Sequence, residues 1–391
     1  MSPVAIVFVT VFIDLLGFGI IIPLMPFYAE TFGANALTVG LLSTSFSLMQ
    51  FLFAPFWGRL SDRIGRRPVI LMGLFGSAVS YLLFGLATSL TLLFAARIAA
   101  GIAGANIPTA QAYMADVTTP QNRARGMGLV GAAFGLGFSL GPAIGGFLSQ
   151  WGYQAPSFFA AALSLANFVA AWFFLPESRP AARADAVSTS RLAALRRAVA
   201  RPGLPPLMLI YFIVVAAFAS FETTFALYSE RRFDFGPSTI GYIFAFVGIV
   251  LSIVQGLLVG RVVLRVGERR VVPAAILTIA TGLALVPLAG NVAMLVLACG
   301  VLAVGMGFNS PSLMALISRH ADADMQGGVL GLSQSLASLA RVIGPAWGGW
   351  LYDHYGIVTP YISAAGLMGL AFLLSIVVVA RAPLTESQVA E

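Results

Sequence analysis

Four charged residues lie inside long apolar runs of the sequence, and they are the first candidates for chemistry. Asp14 stands in the run VFVTVFIDLLGFGIIIPLMPFY, and Arg97, Glu222 and Arg341 stand in comparable runs. A charge at the centre of a bilayer costs about 2.5–3.5 kcal/mol on insertion scales, and such residues usually mark paths of ions or substrates. Two acids and two bases could instead neutralise one another as structural ion pairs, and the sequence leaves both interpretations open.

A buried carboxyl group near an arginine is suited to proton exchange. Desolvation disfavours the charged form of a carboxyl group, whereas a nearby guanidinium favours it, so the two effects oppose each other. We predict that Asp14 is a proton-coupling carboxylate that Arg97 tunes. We also predict that Glu222 is a second proton site or a contact for cationic substrates, and that Arg341 belongs to the same proton-coupling set.

The elements that position these residues must be membrane helices. The chain has 391 residues, of which 59% are hydrophobic and 9% are charged, and its mean hydropathy is +0.92; an average soluble domain has about 25% charged residues. About 20 helical residues cross a hydrocarbon core of ~30 Å. We predict an all-α membrane protein with twelve transmembrane helices. They cover residues 5–28, 38–57, 68–87, 91–114, 126–149, 156–175, 206–228, 238–260, 271–289, 292–316, 327–351 and 359–380.

The positive charge of the chain predicts its orientation. All 22 basic residues are arginine, and the net charge is +7. If the N-terminus lies in the cytoplasm, Arg231 and Arg232 lie outside, Arg97 and Arg341 lie within spans, and the other arginines lie in cytoplasmic segments. This asymmetry follows the positive-inside rule. We therefore predict that both termini are cytoplasmic and that the arginines do not bind nucleic acid.

Two parts of the chain repeat each other. GRLSDRIGRRPV at residue 58 matches GRVVLRVGERRV at residue 260, and GPAIGG at 141 matches GPAWGG at 344, at offsets of 202 and 203 residues. A polar segment rich in Pro, Ala and Arg separates six predicted spans from six. We predict two pseudo-symmetric six-helix halves, 1–178 and 205–391, joined by a cytoplasmic linker, 179–204. Transporters with parallel repeats hold their substrate between the repeats near the bilayer midplane.

These motifs resemble those of the major facilitator superfamily. The repeated loop resembles its signature between the second and third helices. FIDLLGFGIIIPLMP resembles the first-helix motif of its drug/proton antiporters, and RIAAGIAGANIPTAQAYMAD resembles their fourth-helix motif around Arg97. The tetracycline and multidrug efflux branch, with twelve helices, is the most similar. Tetracycline exporters carry an aspartate beside a tyrosine in the third helix, where this chain has Ser80 before Tyr81, which argues against tetracycline as the main substrate.

The resemblance implies a proton-coupled secondary active antiporter that exports drug-like amphiphilic compounds by alternating access. Proton-coupled efflux of a sugar or another small metabolite is the alternative. The implied partners are a small-molecule substrate, protons and the lipid bilayer, with no nucleic acid, no cofactor other than the proton gradient and no metal. The implied protein is a multi-pass monomer of the bacterial cytoplasmic (inner) membrane.

Three sets of residues follow from the motifs and the resemblance. Charged loop residues form a cytoplasmic gate network: Asp62, Arg63, Arg66, Arg67 and Asp116. We predict that aromatic and polar residues line the substrate cavity, although each aromatic one could instead be lipid-facing or core filler: Phe46, Gln50, Asn106, Gln111, Phe218, Phe225, Asn309, Gln334 and Ser338. A run in the fifth span packs helices closely, since small residues permit close approach: Gly137, Gly141, Pro142, Gly145 and Gly146. The second loop copy has Leu264 for Asp62 and Glu268 for Arg66, so we predict an asymmetric gate.

Other function classes lack their motifs in this sequence. The chain contains no HExxH or Walker A motif, and its histidines, His320 and His354, fall at opposite membrane faces in the predicted topology. The one cysteine, Cys299, cannot form an intramolecular disulfide. We therefore predict that the chain is not an enzyme and is not driven by ATP. Saturable uptake that follows a pH gradient would distinguish a transporter from a channel or receptor.

Overall fold

The computed structural model describes residues 3–104, 106–119, 122–178, 201, 203–320 and 326–381. Within these ranges the secondary structure is helical, without a β-strand. A 3-10 turn (Ser149–Trp151) follows α7, and a π-helical turn (Val254–Leu258) joins α10 to α11. In chain order the α-helices are α1 (Pro3–Ile21), α2 (Met25–Glu30), α3 (Ala36–Ile64), α4 (Arg66–Gly85), α5 (Leu90–Ala103), α6 (Asn106–Val117), α7 (Arg123–Leu148), α8 (Gln154–Phe174), α9 (Leu204–Phe233), α10 (Pro237–Ile253), α11 (Val259–Val266), α12 (Glu268–Leu288), α13 (Val292–Arg319), α14 (Gln326–Tyr355) and α15 (Thr359–Arg381).

Eleven helical segments of the described chain are long and apolar enough to cross a membrane. They coincide with eleven of the twelve predicted spans. The remaining predicted span, 327–351, lies within α14 and is also helical, but α14 is not one of the eleven. The predicted all-helical membrane architecture is therefore confirmed, while the count of twelve spans and the cytoplasmic termini stay predictions.

Contacts group the described residues into two compact units. Unit 1 takes its residues from Met1–Val187, Ala219–Ser252 and Arg341–Pro360. Unit 2 takes its residues from Ser188–Phe218, Ile253–Ala340 and Tyr361–Glu391. The boundaries of the units cut through helices such as α9 and α14, so they do not test the predicted halves. Most of the predicted linker, 179–200 and residue 202, lies outside the described residues.

The repeated loops share a backbone feature. Gly65 separates α3 from α4 with φ of 103°, and Gly267 separates α11 from α12 with φ of 76°. Both values lie in the left-handed region, which glycine enters without a side-chain penalty. The two sequence copies therefore use the same residue type to turn the chain between helices. Elsewhere the side chains of Asn35, Ser89 and Asn291 cap helix N-termini by accepting backbone N–H groups.

The core of unit 1 is centred on α1, where Val7, Val11 and Leu15 pack with residues of α4, α6, α7 and α8. Lipid tails are as apolar as these side chains, so close packing holds membrane helices together better than burial alone. The contact of α1 with α7 shows this closeness. A Cβ atom added at Gly141 would lie 2.7 Å from the Cα of Gly19. Within the predicted packing run, Gly137, Gly141 and Gly145 thus lie directly against the backbone of α1, whereas Gly146 lies against α10 (Pro237–Ile253).

Candidate functional site

A cavity in unit 1 brings together three of the four charged residues found in apolar runs. Its walls come from α1, α2, α3, α5, α9 and α14, and its empty space is about 550 Å³, including the part that opens to solvent. It is lined by Phe18, Ile21, Ile22, Met25, Pro26, Ser43, Phe46, Ser47, Arg97, Ala219, Glu222, Thr223, Arg341 and Pro345. Arg97, Glu222 and Arg341 therefore meet at one site. The predicted cavity residue Phe46 also lines it, whereas Asp14 is not among the lining residues.

Arg97 is the most enclosed charge of this cavity. It lies on α5, and only 6% of its surface is exposed. The guanidinium carbon lies 4.4 Å from the ring centroid of Phe46 on α3, a cation–π contact. Within the described part of the chain, the Nε–H of Arg97 has no hydrogen-bond acceptor. The cavity thus presents a buried cation that keeps one donor unsatisfied.

Glu222, on α9, lies within the electrostatic reach of two cations. Its carboxylate interacts with the guanidinium groups of both Arg341 and Arg97. Such interactions are stronger in a poorly hydrated site than in bulk water. The three charges are therefore coupled, and a change of charge on any one of them alters the electrostatic environment of the other two.

Asp14 contacts α4, a helix that is not among the walls of the cavity. Its carboxylate accepts a hydrogen bond of 3.3 Å from the hydroxyl of Ser77 on α4. One turn further along α4, Tyr81 interacts electrostatically with both Asp14 and Arg97. Gly17 makes room for this ring, since a Cβ there would lie 3.0 Å from Cε2 of Tyr81. Tyr81 therefore lies near both Asp14 and the cavity residue Arg97.

The sequence did not indicate Ser77 or Tyr81 as partners of Asp14. The available signal is their four-residue spacing, which places both side chains on one face of α4. The hydroxyl of Ser80, the residue that replaces the expected aspartate, donates instead to the carbonyl of Gly76 at 2.7 Å. Ser80 is therefore bonded to its own helix and does not substitute for an acid beside Asp14.

Two more of the predicted cavity residues have partners of their own. The amide of Gln50 donates to the carbonyl of Gly104 at 3.0 Å and so links α3 to the break between α5 and α6. Phe225 is fully buried and packs on Phe221, with ring centroids 5.0 Å apart. Neither residue lines the cavity of unit 1, and their assignment to a substrate site stays a prediction.

The remaining predicted cavity residues are spread over several helices. Asn309 of α13 is fully buried, and both of its amide atoms lack a hydrogen-bond partner among the described residues. The hydroxyl of Ser338 donates to the carbonyl of Gln334, which lies on the same helix, at 3.0 Å. Gln111 and Phe218 are half-buried. The side chain of Asn106 lies outside the described part of the structure.

We call the cluster of Asp62, Arg66, Asp116 and Glu177 the arginine end of unit 1. Nη1 of Arg66 lies 2.8 Å from Oδ1 of Asp62, and Nε of Arg66 lies 3.2 Å from Oδ2 of Asp116. Only 12% of the Arg66 side chain is exposed, against 55% for Asp62 and 32% for Asp116. Three residues of the predicted gate network are thus in direct contact, and Arg66 is their centre.

The other two predicted gate arginines have separate positions. Nη2 of Arg67 donates to the carbonyl of Trp172 on α8 at 2.5 Å, and its guanidinium carbon lies 5.8 Å from the indole centroid. Arg63 is exposed on the last turn of α3. Arg67 therefore ties α4 to α8, while Arg63 extends into solvent.

Glu177 was not predicted, and it caps α4. Its carboxylate accepts the backbone N–H groups of Arg66 at 2.9 Å and of Arg67 at 3.1 Å. An anion is favoured at a helix N-terminus, where backbone donors are otherwise unsatisfied. The feature of the sequence that could have indicated this cap is an acid just after the sixth predicted span, in the stretch PES.

Unit 2 contains the counterpart of the arginine end with its charges reversed. Nη2 of Arg319 lies 2.8 Å from Oε1 of Glu268. At the repeat offsets of 202 and 203 residues, these positions correspond to Asp116 and Arg66. As at the arginine end, the member that begins the helix is buried, since 11% of the Glu268 side chain is exposed against 67% for Arg319.

We call the contact of the first turns of α3 with α14 the glycine end of unit 1. A Cβ at Gly40 would collide with the carbonyl of Pro345, and a Cβ at Gly349 would lie 2.8 Å from the Cα of Leu37. Asp353 of α14 accepts the backbone N–H of Leu37 at 2.8 Å. The two helices therefore meet backbone to backbone.

A pair of carboxyl groups also belongs to the glycine end. The side chain of Glu30, at the end of α2, lies close to that of Glu230 on α9. Burial and then the adjacent Glu230 raise the pKa of Glu30 to about 7. Arg231, with Nη2 3.8 Å from Oε1 of Glu30, opposes this rise. The guanidinium of Arg231 also lies over the ring of Tyr352, 5.1 Å from its centroid.

Comparison with known proteins places this geometry in a family. Residues 7–345 and 233–391 match the family model described as Major Facilitator Superfamily. The chain is 34% identical over 368 residues to Multidrug resistance protein 2 of Bacillus subtilis (strain 168), covering 92% of this chain and 90% of that protein. It is 33% identical over 369 residues to the class E tetracycline resistance protein of Escherichia coli, covering 88% and 89%.

A solved structure is similar over nearly the whole length. The crystal structure of the human organic anion transporter MFSD10 (TETRAN) is 29% identical, with a TM-score of 0.74, and the match covers 95% of this chain and 98% of that one. The predicted family is therefore confirmed.

Proposed function

The chain belongs to the Major Facilitator Superfamily, and from this premise we propose that it is a proton-coupled antiporter that exports drug-like amphiphilic compounds by alternating access. Members of this family are transporters, not enzymes. The observation that supports the proposal is the cavity of unit 1, where apolar walls surround one carboxyl group and two guanidinium groups. Sites for drug-sized ligands commonly combine mostly apolar walls with a few placed polar groups.

Asp14 is the proton-coupling group in this proposal. Its carboxylate is bonded to α4 through Ser77, and Tyr81 of the same helix is within electrostatic reach of both Asp14 and Arg97. Loss or gain of a proton at Asp14 changes the contact of α1 with α4, and α1 also contributes Phe18 to the cavity wall. The proton would therefore act on the packing of α1, without touching the substrate.

A proton gradient supplies enough free energy for such export. One charge that moves across 100 mV yields about 2.3 kcal/mol. At ~1.4 kcal/mol per tenfold ratio, this sustains a concentration gradient of roughly 40-fold. No cofactor beyond the proton gradient is needed.

The proposal assigns roles to the arginine end of unit 1 and to the packing run of α7. The arginine end is the cytoplasmic gate, and the glycine run of α7 is the surface on which the halves 1–178 and 205–391 rock. Both termini lie in the cytoplasm, where the positive-inside rule places the arginine-rich loops. The protein acts as a monomer in a bacterial cytoplasmic membrane.

Asp14→Asn in inverted membrane vesicles tests the proposal. We expect uptake of fluorescent amphiphiles driven by a pH gradient to be abolished, while the melting temperature in detergent changes little. Ser80→Ala is the matched control, because Ser80 lies on the facing helix and bonds only to its own backbone among the contacts described above. Uptake by the Asp14→Asn variant that still follows the pH gradient would refute the coupling role.

A further inference from the structure

Guanidinium groups outnumber carboxyl groups in the lining of the cavity. Arg97 and Arg341 line it together with Glu222, so the lining carries one net positive charge when all three groups are ionised. Asp14 is not counted in this balance, because it is not among the lining residues and its carboxylate accepts a hydrogen bond from Ser77 of α4. A ligand with one negative charge would neutralise the lining, whereas a cation would bring it to two positive charges.

Arg97 offers the specific contact for such a ligand. The residue is 94% buried, which follows from its exposed fraction of 6%, and its Nε–H lacks an acceptor among the described residues. A buried donor without a partner is unfavourable. The planar guanidinium fork matches a carboxylate, which can accept two parallel N–H bonds. An acid group on the substrate would satisfy the donor and the charge together.

The wall beside Arg97 suits an aromatic or aliphatic body. The rings of Phe18 and Phe46 lie 5.2 Å apart, and both line the cavity. The Arg97 guanidinium stacks over Phe46 at 4.4 Å. A molecule with its acid group on Arg97 would therefore place its apolar part against these two rings.

We propose that the preferred substrates are organic monoanions, with the acid group on Arg97 and an apolar body against Phe18 and Phe46. This inference rests on the proposed function as an exporter and specifies its substrate class. Glu222 competes with the substrate for the same guanidinium groups. It therefore limits the accepted charge to one, because a dianion would leave the lining negative.

This role separates Glu222 from proton exchange. Removal of the Glu222 charge strengthens the binding of an anion, so a proton on Glu222 and the anion would bind together. Exchange requires that the proton and the substrate bind alternately. The exchanged proton therefore belongs to Asp14, which lies outside the cavity lining.

Binding of three matched probes to the purified full-length protein tests the inference. The probes are pyrenebutyrate, its uncharged methyl ester, and a pyrenebutyl trimethylammonium cation. For the natural protein we expect pyrenebutyrate to bind about 10-fold more tightly than the cation. Glu222→Gln should tighten pyrenebutyrate binding by about 10-fold and leave the ester unchanged, in line with one charged contact. Arg97→Gln should weaken pyrenebutyrate by at least about 10-fold.

Control variants keep the outcome interpretable. Arg97→Lys retains the charge but not the fork, so it should give an intermediate affinity for pyrenebutyrate, and Ser80→Ala should bind all three probes as the natural protein does. If Arg97→Gln fails to fold, the Glu222→Gln result decides, since a folding defect cannot tighten binding. Tighter binding of the cation than of pyrenebutyrate, or looser pyrenebutyrate binding in Glu222→Gln, would overturn the inference and leave the exporter proposal standing. Monoanion preference with an unaffected Asp14→Asn variant would support the inference and refute the proton coupling.

Discussion

The two ends of unit 1 are held together by different kinds of interaction. At the arginine end, long side chains meet in ion pairs of 2.8 and 3.2 Å around Arg66. At the glycine end, Gly40 and Gly349 allow the backbones of α3 and α14 to touch. Gly40 and Asp62 lie near opposite ends of α3, about 33 Å apart at 1.5 Å per residue. One helix therefore carries a charged contact at one end and a steric contact at the other.

The difference indicates how each contact can be changed. Partly exposed ion pairs contribute about 0–1 kcal/mol each and weaken with salt. A close-packed backbone contact depends on volume, because even one added methyl group forces the neighbours apart. We therefore expect the arginine end to respond to charge and the glycine end to respond to volume and, through Glu30, to pH.

The largest effect should come from added volume at the glycine end. Gly40→Val places a side chain against the carbonyl of Pro345, and overpacking of this kind costs typically about 1–3 kcal/mol. We expect a lower melting temperature in detergent and a transport rate reduced by about 10-fold or more. Gly58→Ala is the control on the same helix, since a Cβ there meets nothing within 4 Å. An equal loss in both variants would show that the closeness of α3 and α14 is not what matters.

Charge reversal at the arginine end should have the next largest effect. Arg66→Glu places a third carboxylate beside Asp62 and Asp116, which we expect to slow transport and to destabilise the contact by about 1–2 kcal/mol. Adding Asp116→Arg and Asp62→Leu reproduces the arrangement of Glu268, Arg319 and Leu264 in unit 2. The triple variant should recover most of the stability. If the acid and the base of the pair can exchange places without loss of function, it should also recover most of the transport. A triple variant as impaired as Arg66→Glu would show that the polarity of the pair is specific to its half.

A pH dependence at the glycine end should be smaller. The pKa of Glu30 is about 7 in the folded protein against 4.5 for the unperturbed group. The folded state therefore binds more protons than the unfolded state between these values, so stability falls as the pH rises from about 4.5 to about 7 and is constant above. Melting curves across this range should show the slope in the natural protein and a flatter profile in Glu30→Gln. An unchanged slope in Glu30→Gln would assign the effect to another group.

The smallest effect should come from a substitution of Leu264, an exposed position at which the two repeated loops differ. Leu264 is 89% exposed, and Leu264→Asp gives the second loop the aspartate of the first. Surface substitutions usually change stability by within about 0.5 kcal/mol, although the new acid lies one turn before Glu268. Melting in detergent at low and high salt measures the change. A shift as large as that of Arg66→Glu would mean that the second loop needs its missing aspartate for a reason other than charge.

Much of the fold could be predicted because hydropathy is a local property. Runs of about 20 apolar residues define spans wherever they occur, and the offsets of 202 and 203 residues revealed the repeat without any coordinate. The family resemblance also predicted that Asp62, Arg66 and Asp116 act together. Their contact in the structure agrees with that grouping, though their role as a gate stays a proposal.

The sequence by itself determined that this chain is a helical membrane transporter of its family and that Asp14, Arg97, Glu222 and Arg341 are its exceptional charges. Only the tertiary structure decided which neighbours they meet. Side chains that are far apart in the chain come together through the rotation of each helix about its axis and its choice of partner, which no local pattern encodes. That is why Glu222 lies with Arg97 and Arg341 at the cavity, while Asp14 is bonded to Ser77 of α4 and is not among the lining residues.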